Sequence, residues 1–412
     1  MDCTDSSAVL NTQGVRDAVR VLEGACAQLI ASIAPAQHVM LNRSFGGVDP
    51  ACINVALTTK VADQLDAGPK PVAELAKTAG VDAAKLGRVL RCMAVQHCFT
   101  EVEKDVYANN KLSVCLRSSE NVSGLLGFVS DDVNMGLAHL AQALTRREWI
   151  GSSNTNASAY VLAHGQTLFE KATVEAWREQ RFSRGMVAWS DIHGGTDEIA
   201  HVYPWSTVRD DTTFCDIGGS VGHVAMALLK ANPGFRVVVH DLPTVIEEAR
   251  KVWQREFPEA LDEQSVQLLP LDFVKQRPLS GCNYYYLKHV LHDWPDADCV
   301  PILENIRASM TSSGSKLLLH EFTLRDATRQ RGAVTAGSAH APRPLLPNFG
   351  AGVLRHHLMD VNMLSTFNSA ERTLDDFIRI GNAAGFQFVR IWEGGEVPVL
   401  EFTPQPVDAF VS

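Results

Sequence analysis

The 412-residue sequence contains no C-x-x-C pair, so it lacks the closely spaced thiols that mark zinc ribbons and thioredoxin-like redox sites. Its nine cysteines, Cys3, Cys26, Cys52, Cys92, Cys98, Cys115, Cys215, Cys282 and Cys299, are odd in number and scattered. They read as reduced thiols of a cytoplasmic protein. No window approaches the ~18–20 continuous apolar residues that span a bilayer. Met1–Asn11 carries no basic run ahead of an apolar stretch, so no secretory leader is expected. Positive charge is also short: 37 Lys and Arg against 47 Asp and Glu leave a formal net charge of −10. That balance disfavours nucleic acid and anionic membrane as partners and leaves a small molecule.

What is present is the composition of a globular protein, 46% hydrophobic and 20% charged, in a chain long enough for two cores. Residues 1–195 are expected to form a mainly helical domain. Val55–Leu65 has helical apolar spacing and stops near Gly68-Pro69, and Val72–Ala79 starts after Pro71 and stops at Gly80. Asp82 can cap the next helix, whose Leu86, Val89, Leu90 and Met93 share a face. Phe99–Val106 and Tyr107–Val114 suggest a two-stranded wing, completing a winged-helix pattern. Lys85, Arg88 and Arg91 give a modest basic stripe, outnumbered nearby by Asp63, Asp66, Glu74, Asp82, Glu101, Glu103 and Asp105, so structural use is preferred to DNA contact. Gly124–Trp189 reads as helical with a polar break at Ser152–Ser158.

Residues 196–412 change character. Strand-like Phe214–Ile217, Arg236–His240, Val266–Leu269, Tyr284–Leu287 and Lys316–Leu319 alternate with helix-like Gly222–Ala231, Thr244–Phe257 and Ala297–Met310. This predicts an α/β fold with a Rossmann-like, doubly wound and mostly parallel sheet. Helix-like Leu374–Ala384, then Phe386–Trp392 and Val397–Phe402 around Gly394-Gly395, add an antiparallel C-terminal hairpin. Arg325–Gly352, rich in Ala, Gly, Pro and Arg, reads as a flexible surface insertion.

The segment Cys215-Asp216-Ile217-Gly218-Gly219-Ser220-Val221-Gly222 falls where a strand ends and a helix begins. Glycines there let the backbone turn and approach a ligand at the switch point of the sheet. After the next strand, Asp241 in His240-Asp241-Leu242-Pro243 can hold two ribose hydroxyls. The spacing does not fit the G-x-G-x-x-G of a dinucleotide site. Asp216 with Gly218, Ser220 and Gly222 suits a ligand ending in a cationic amino acid, which points to S-adenosylmethionine.

With further motifs in order, Leu271-Asp272-Phe273, Tyr286 through Trp294, His320-Glu321-Phe322 and Ala370-Glu371-Arg372-Thr373, the chain resembles the class I S-adenosylmethionine-dependent O-methyltransferases of caffeic-acid and hydroxyindole type, small-molecule enzymes of plants and fungi. Ser220 stands where many members have a third glycine. The resemblance implies a homodimer through the N-terminal domain. It sets Gly218 against the methionine portion, Asp241 on the ribose, Leu242 among the cofactor contacts, Asp272 and Phe273 by the adenine, and Lys288 near the carboxylate or ribose. It makes His292 the general base and Glu321 and Glu371 the carboxylates that orient it. Phe182, Met186, Trp294, Met363 and Phe367 become acceptor walls, though their spacing is equally that of ordinary core. The less favoured readings are a helix cap for Asp241, a turn residue for Asp272 and a pairing of Glu371 with Arg372. His289 reads as structural, because no metal-spaced donor set accompanies it.

Methyl transfer to a phenol needs alignment and a proton acceptor. A free imidazole near pKa ~6.5 facing a phenol near ~10 makes complete transfer uphill by about 5 kcal/mol, and a carboxylate on the other ring nitrogen offsets this. The expected activity is therefore methylation of a hydroxyl on a small aromatic, phenolic or polyketide-like molecule. A nitrogen or carbon methyltransferase of a natural-product scaffold is the alternative, and a non-catalytic winged-helix regulator a distant one.

Overall fold

Local chemistry sets the helix ends in a computed structural model that describes residues 13–174, 176–311, 314–328 and 340–406. The helix Val72–Ala79 ends at Gly80 in the left-handed region, and Asp82 accepts from the Lys85 N–H at 2.8 Å to start Ala83–Ala94. Leu86, Leu90 and Met93 of that helix are buried. The described chain divides into two units, one of residues 26–192 with 365–367, the other of 13–25 with 193–364 and 368–406. Residues 13–25 therefore group with the second unit, although sequence spacing assigns them to the first domain.

In the first unit the helix expected at Val55–Leu65 runs instead as Val48–Thr59 and Val61–Gln64, broken at Lys60 with φ +52°. Strand β1 (Lys70–Pro71) pairs with β3 (Val106–Ala108), which pairs with β2 (Thr100–Glu103). This wing is shorter than expected. The Asn110 side chain accepts from the Leu112 and Ser113 N–H groups, so the chain turns into the short helix Ser113–Leu116 instead of continuing as strand.

The second unit holds a seven-stranded sheet. Its strands are β4 (Thr213–Ile217), β5 (Arg236–Asp241), β6 (Val266–Pro270), β7 (Tyr284–Lys288), β8 (Lys316–His320), and, after the short pair β9 (Thr323–Leu324) and β10 (Arg372–Thr373), β11 (Phe386–Trp392) and β12 (Val399–Pro404). The order is β11-β12-β8-β7-β4-β5-β6, parallel from β8 to β6 and antiparallel at β12 and β11. Alternate residues feed two cores: Phe214, Val237, Val239, Tyr284 and Tyr286 pack on one face, and Cys215, Ile217, Val238, Tyr285 and Leu287 on the other. From β4 the chain moves one way to β5 and β6, then returns to the other side as β7 and β8. The crevice beyond the carboxyl ends of β4 and β7 is therefore the switch point.

Of Arg325–Gly352, residues 329–339 lie outside the described residues. Residues 340–352 do not behave as a loose loop: Ala341, Leu345 and Phe349 are buried with Val353 against Val21 and Ala25.

Candidate active site

Five parallel strands deliver their carboxyl ends to one edge, and the motif residues sit there. After β4, Gly218 (φ +70°) and Gly222 (φ +84°) take left-handed backbone. The Gly218 and Gly219 N–H groups donate to the His240 carbonyl at 2.8 and 3.2 Å. A Cβ on Gly218 would stand 3.0 Å from Val290 Cγ2 and 3.5 Å from Phe273 Cε1. The glycine turn is thus packed against the segment that carries His292. Gly222 faces the other way, since a Cβ there would lie 2.7 Å from Trp253 Nε1; it admits the indole that donates to the Val221 carbonyl at 3.0 Å. Ser220 holds φ +54°, so the departure from glycine is accommodated with an exposed hydroxyl and left-handed backbone.

Asp216 lies beneath the turn. Burial, with repulsion from Asp241, pushes its carboxyl up to about 7 against the pull of Lys288, and its Oδ2 has no hydrogen-bond partner. At the end of β5, Asp241 accepts from the Ser220 N–H (2.8 Å) and the Leu242 N–H (2.7 Å), and the Leu242 side chain is 52% exposed. Beyond β6, the Asp272 carboxylate pairs with Lys275 at 2.8 Å and its carbonyl accepts from the Lys275 and Gln276 N–H groups. Phe273 meets Trp294 edge-on with centroids 6.0 Å apart. Lys288 donates to the Gly195 carbonyl at 3.1 Å. An orphaned carboxylate oxygen for an ammonium, a second carboxylate at the strand end for hydroxyls, and an apolar surface at Leu242 and Phe273 fit the three parts of S-adenosylmethionine.

The segment after β7 is a short helix, Leu291–Asp293, entered through His289 at φ +51°. His292 is buried, and its Nδ1 meets Glu371 Oε1 at 2.8 Å; Asp293 Oδ1 lies 3.6 Å from Nε2. Burial alone would lower the pKa of this imidazole, but Glu371 and Asp293 outweigh it and raise it to about 10. Glu371 is the carboxylate on the ring. It does not pair with Arg372. Glu321 serves the backbone: its Oε1 accepts from the Val290 and Leu291 N–H groups at 2.9 and 2.8 Å. Burial raises its carboxyl to about 7, opposed by His292 and these donors.

Arg372 has a use that spacing does not reveal. Only 3% exposed, it bonds Asp296 (2.8 Å) and the carbonyls of Leu291 (2.7 Å) and Trp294 (2.6 Å), clamping the turn on both sides of His292. Glu371 N–H donates to Asp360 Oδ1 at 3.0 Å, so the strip 371–372 is fixed at both ends. The one sequence cue is a charged pair set directly before an apolar helix.

Of the expected acceptor walls, Trp294 and Met363 belong to the second unit and Phe182, Met186 and Phe367 to the first. Within the first, Phe182 packs edge-on to Phe128 (5.4 Å), Phe367 lies 5.4 Å from Phe169, and Met186 is 36% exposed. Met363 is buried. The expectation that His289 has no donor set around it is corrected: β8 brings Glu321 to it, with Oε2 3.9 Å from His289 Nδ1.

This fold and edge define a class of small-molecule methyltransferases, and comparison with known proteins gives the family. Residues 147–387 match the O-methyltransferase domain family, and the chain belongs to it. It is 40% identical to 3-O-methyltransferase 2 of Phanerochaete chrysosporium over 95% of this chain and 87% of that protein. It is 30% identical to the sterigmatocystin 8-O-methyltransferase of Aspergillus flavus over 71% of this chain and 67% of that one. Among solved structures, OxaC in complex with SAH and oxaline matches with a TM-score of 0.77 at 23% identity, covering 97% of this chain and 96% of that one. No helix among the described residues is long and apolar enough to cross a membrane.

Proposed function

We propose that this enzyme methylates a hydroxyl group of a small phenolic or polyketide-like aromatic molecule with S-adenosylmethionine, His292 acting as general base. The carrying observation is the 2.8 Å contact between His292 Nδ1 and Glu371, on a turn packed against Gly218. The relative named for sterigmatocystin supports the acceptor class.

Bound S-adenosylmethionine supplies an electrophilic methyl group to an in-line displacement. Asp216 would hold its ammonium, Asp241 its ribose hydroxyls, Leu242, Asp272 and Phe273 its adenosine end and Lys288 its carboxylate or ribose. Glu371 on Nδ1 fixes the tautomer and leaves Nε2 to take the acceptor proton. Because the imidazole is raised to about 10, near an ordinary phenol's ~10, the uphill proton transfer of about 5 kcal/mol is largely removed. Glu321 and Arg372 hold the turn still, which is the alignment such a displacement needs. Trp294 and Met363 of the second unit wall the acceptor.

The second element of the reading is a homodimer. Leu29, Ile30, Ile33, Met40, Leu41 and Phe45 of the first unit are each more than half exposed, an apolar run suited to a second copy. Sedimentation should give the mass of two chains.

A panel of phenols with labelled methyl donor tests the activity, read beside His292→Ala. Turnover should collapse while S-adenosylhomocysteine binding survives. Persistent turnover in that variant would remove the base and favour transfer to nitrogen or catalysis by proximity alone.

A further inference from the structure

We propose that His289, His292 and Glu321 form a binding site for a divalent transition-metal ion of the Zn2+ kind, and that the ion reversibly inhibits the enzyme. One donor atom of each residue lies within 4.8 Å of the other two. Two imidazoles and a carboxylate are ligands such ions favour.

Three features make this a built cluster. The left-handed backbone of His289 (φ +51°) turns its ring toward His292, with centroids 5.3 Å apart and planes at 33°. Glu321 spends Oε1 on two backbone N–H groups, which fixes Oε2, a buried oxygen with no hydrogen-bond partner, 3.9 Å from His289 Nδ1. The surrounding shell is rigid: Glu371 holds the His292 ring, and Phe322 packs on His289 with centroids 5.3 Å apart. An ion with bonds of about 2.0–2.2 Å needs the donors to close by roughly an ångström. A solvent water can fill the fourth position.

Binding is an exchange of charge without redox change. The ion accepts lone pairs from two nitrogens and one oxygen, and any proton on a coordinating atom leaves to solvent. An ion on either ring nitrogen of His292 ends its service as a base, because Nε2 would be occupied or the contact to Glu371 broken. The inhibitory consequence rests on the proposed role of His292. The binding does not.

The test titrates the full-length protein with Co2+ and follows visible absorption, in parallel with Zn2+ inhibition of turnover and its reversal by a chelator. A four-coordinate Co2+ spectrum without the near-ultraviolet thiolate band is expected, which excludes the cysteines. His289→Ala should abolish it and raise the Zn2+ inhibition constant by about tenfold or more, since losing an orienting partner alone costs roughly 10–100-fold. Glu321→Gln should also abolish the spectrum, and serves if His289→Ala does not fold. A thiolate band, no band, or a spectrum unchanged in both variants overturns the site. A spectrum lost as expected beside turnover indifferent to Zn2+ overturns inhibition and counts against His292 as base, leaving the site itself standing.

Discussion

Glu371→Gln keeps the shape of the side chain on His292 Nδ1 and removes its charge. The rise of the imidazole from an ordinary 6.5 to about 10 corresponds to roughly 5 kcal/mol in favour of the protonated ring, at 1.36 kcal/mol per tenfold change. Glu371 leads the neighbours that raise it, ahead of Asp293. Its loss should remove about 2–3 kcal/mol, in line with the ~1.5–3 kcal/mol of hydrogen bonds to charged groups. Two consequences follow, with opposite signs. A weaker base stabilises the incoming proton less, so the alkaline plateau of kcat should fall roughly 30- to 150-fold. A lower pKa also frees the ring at lower pH, so the rise of kcat/KM with pH should move toward acid by about a unit or more. Near neutrality these effects oppose each other, and a single-pH assay would understate the change. The measurement is therefore the full pH profile, with S-adenosylhomocysteine binding as the check on folding. A plateau within about twofold of the parent, or an unmoved midpoint, would refute the assignment of Glu371 as the charge that tunes His292.

Two further outcomes follow from other groups. Asp241→Asn replaces a carboxylate fixed by two N–H donors with an amide that cannot accept equally at both atoms; calorimetry should show S-adenosylhomocysteine binding weakened roughly 10- to 100-fold. In the first unit, Asp132 is buried against Lys171 (2.7 Å), Arg178 (2.8 Å) and Arg181. Burial raises its carboxyl, but these cations outweigh it and hold the pKa below the ordinary value, so its contribution is present at neutral pH and lost as pH falls through that lowered pKa. Asp132→Ala should cost about 3 kcal/mol by urea unfolding at neutral pH, the low end of the range for breaking a buried pair because the cations are partly solvated.

Much of the fold was legible because its signals are local. Gly80 and Asp82 bound their helices through backbone conformation and one side-chain bond, and the parallel strands show as short apolar runs because both faces of the sheet are covered. The misreadings come from local competition or from packing at long range. Lys60 breaks a helix whose apolar spacing continues through it. Asn110 diverts a strand by satisfying backbone groups itself. Residues 340–352 look like linker by composition, yet they bury Leu345 and Phe349 on a helix from the start of the chain, a contact that no window of sequence contains.

The site divides along the same line. Residues at the strand ends were readable, since the order of the strands requires the ends of β4, β5, β7 and β8 to converge. The division of labour between the two glutamates was not, because each carboxylate can face either a ring or a backbone, and that choice depends on a few ångströms. β8 sets Glu321 beside the Val290 and Leu291 N–H groups, so it builds the turn. The strip after the helix Leu354–Phe367 sets Glu371 on the imidazole, anchored by Asp360 behind it and by Arg372 beside it. The tuning of His292 therefore depends on residues that hold Glu371 in place, and substitutions that loosen Asp360 or Arg372 should act on its pH profile before they act on cofactor affinity.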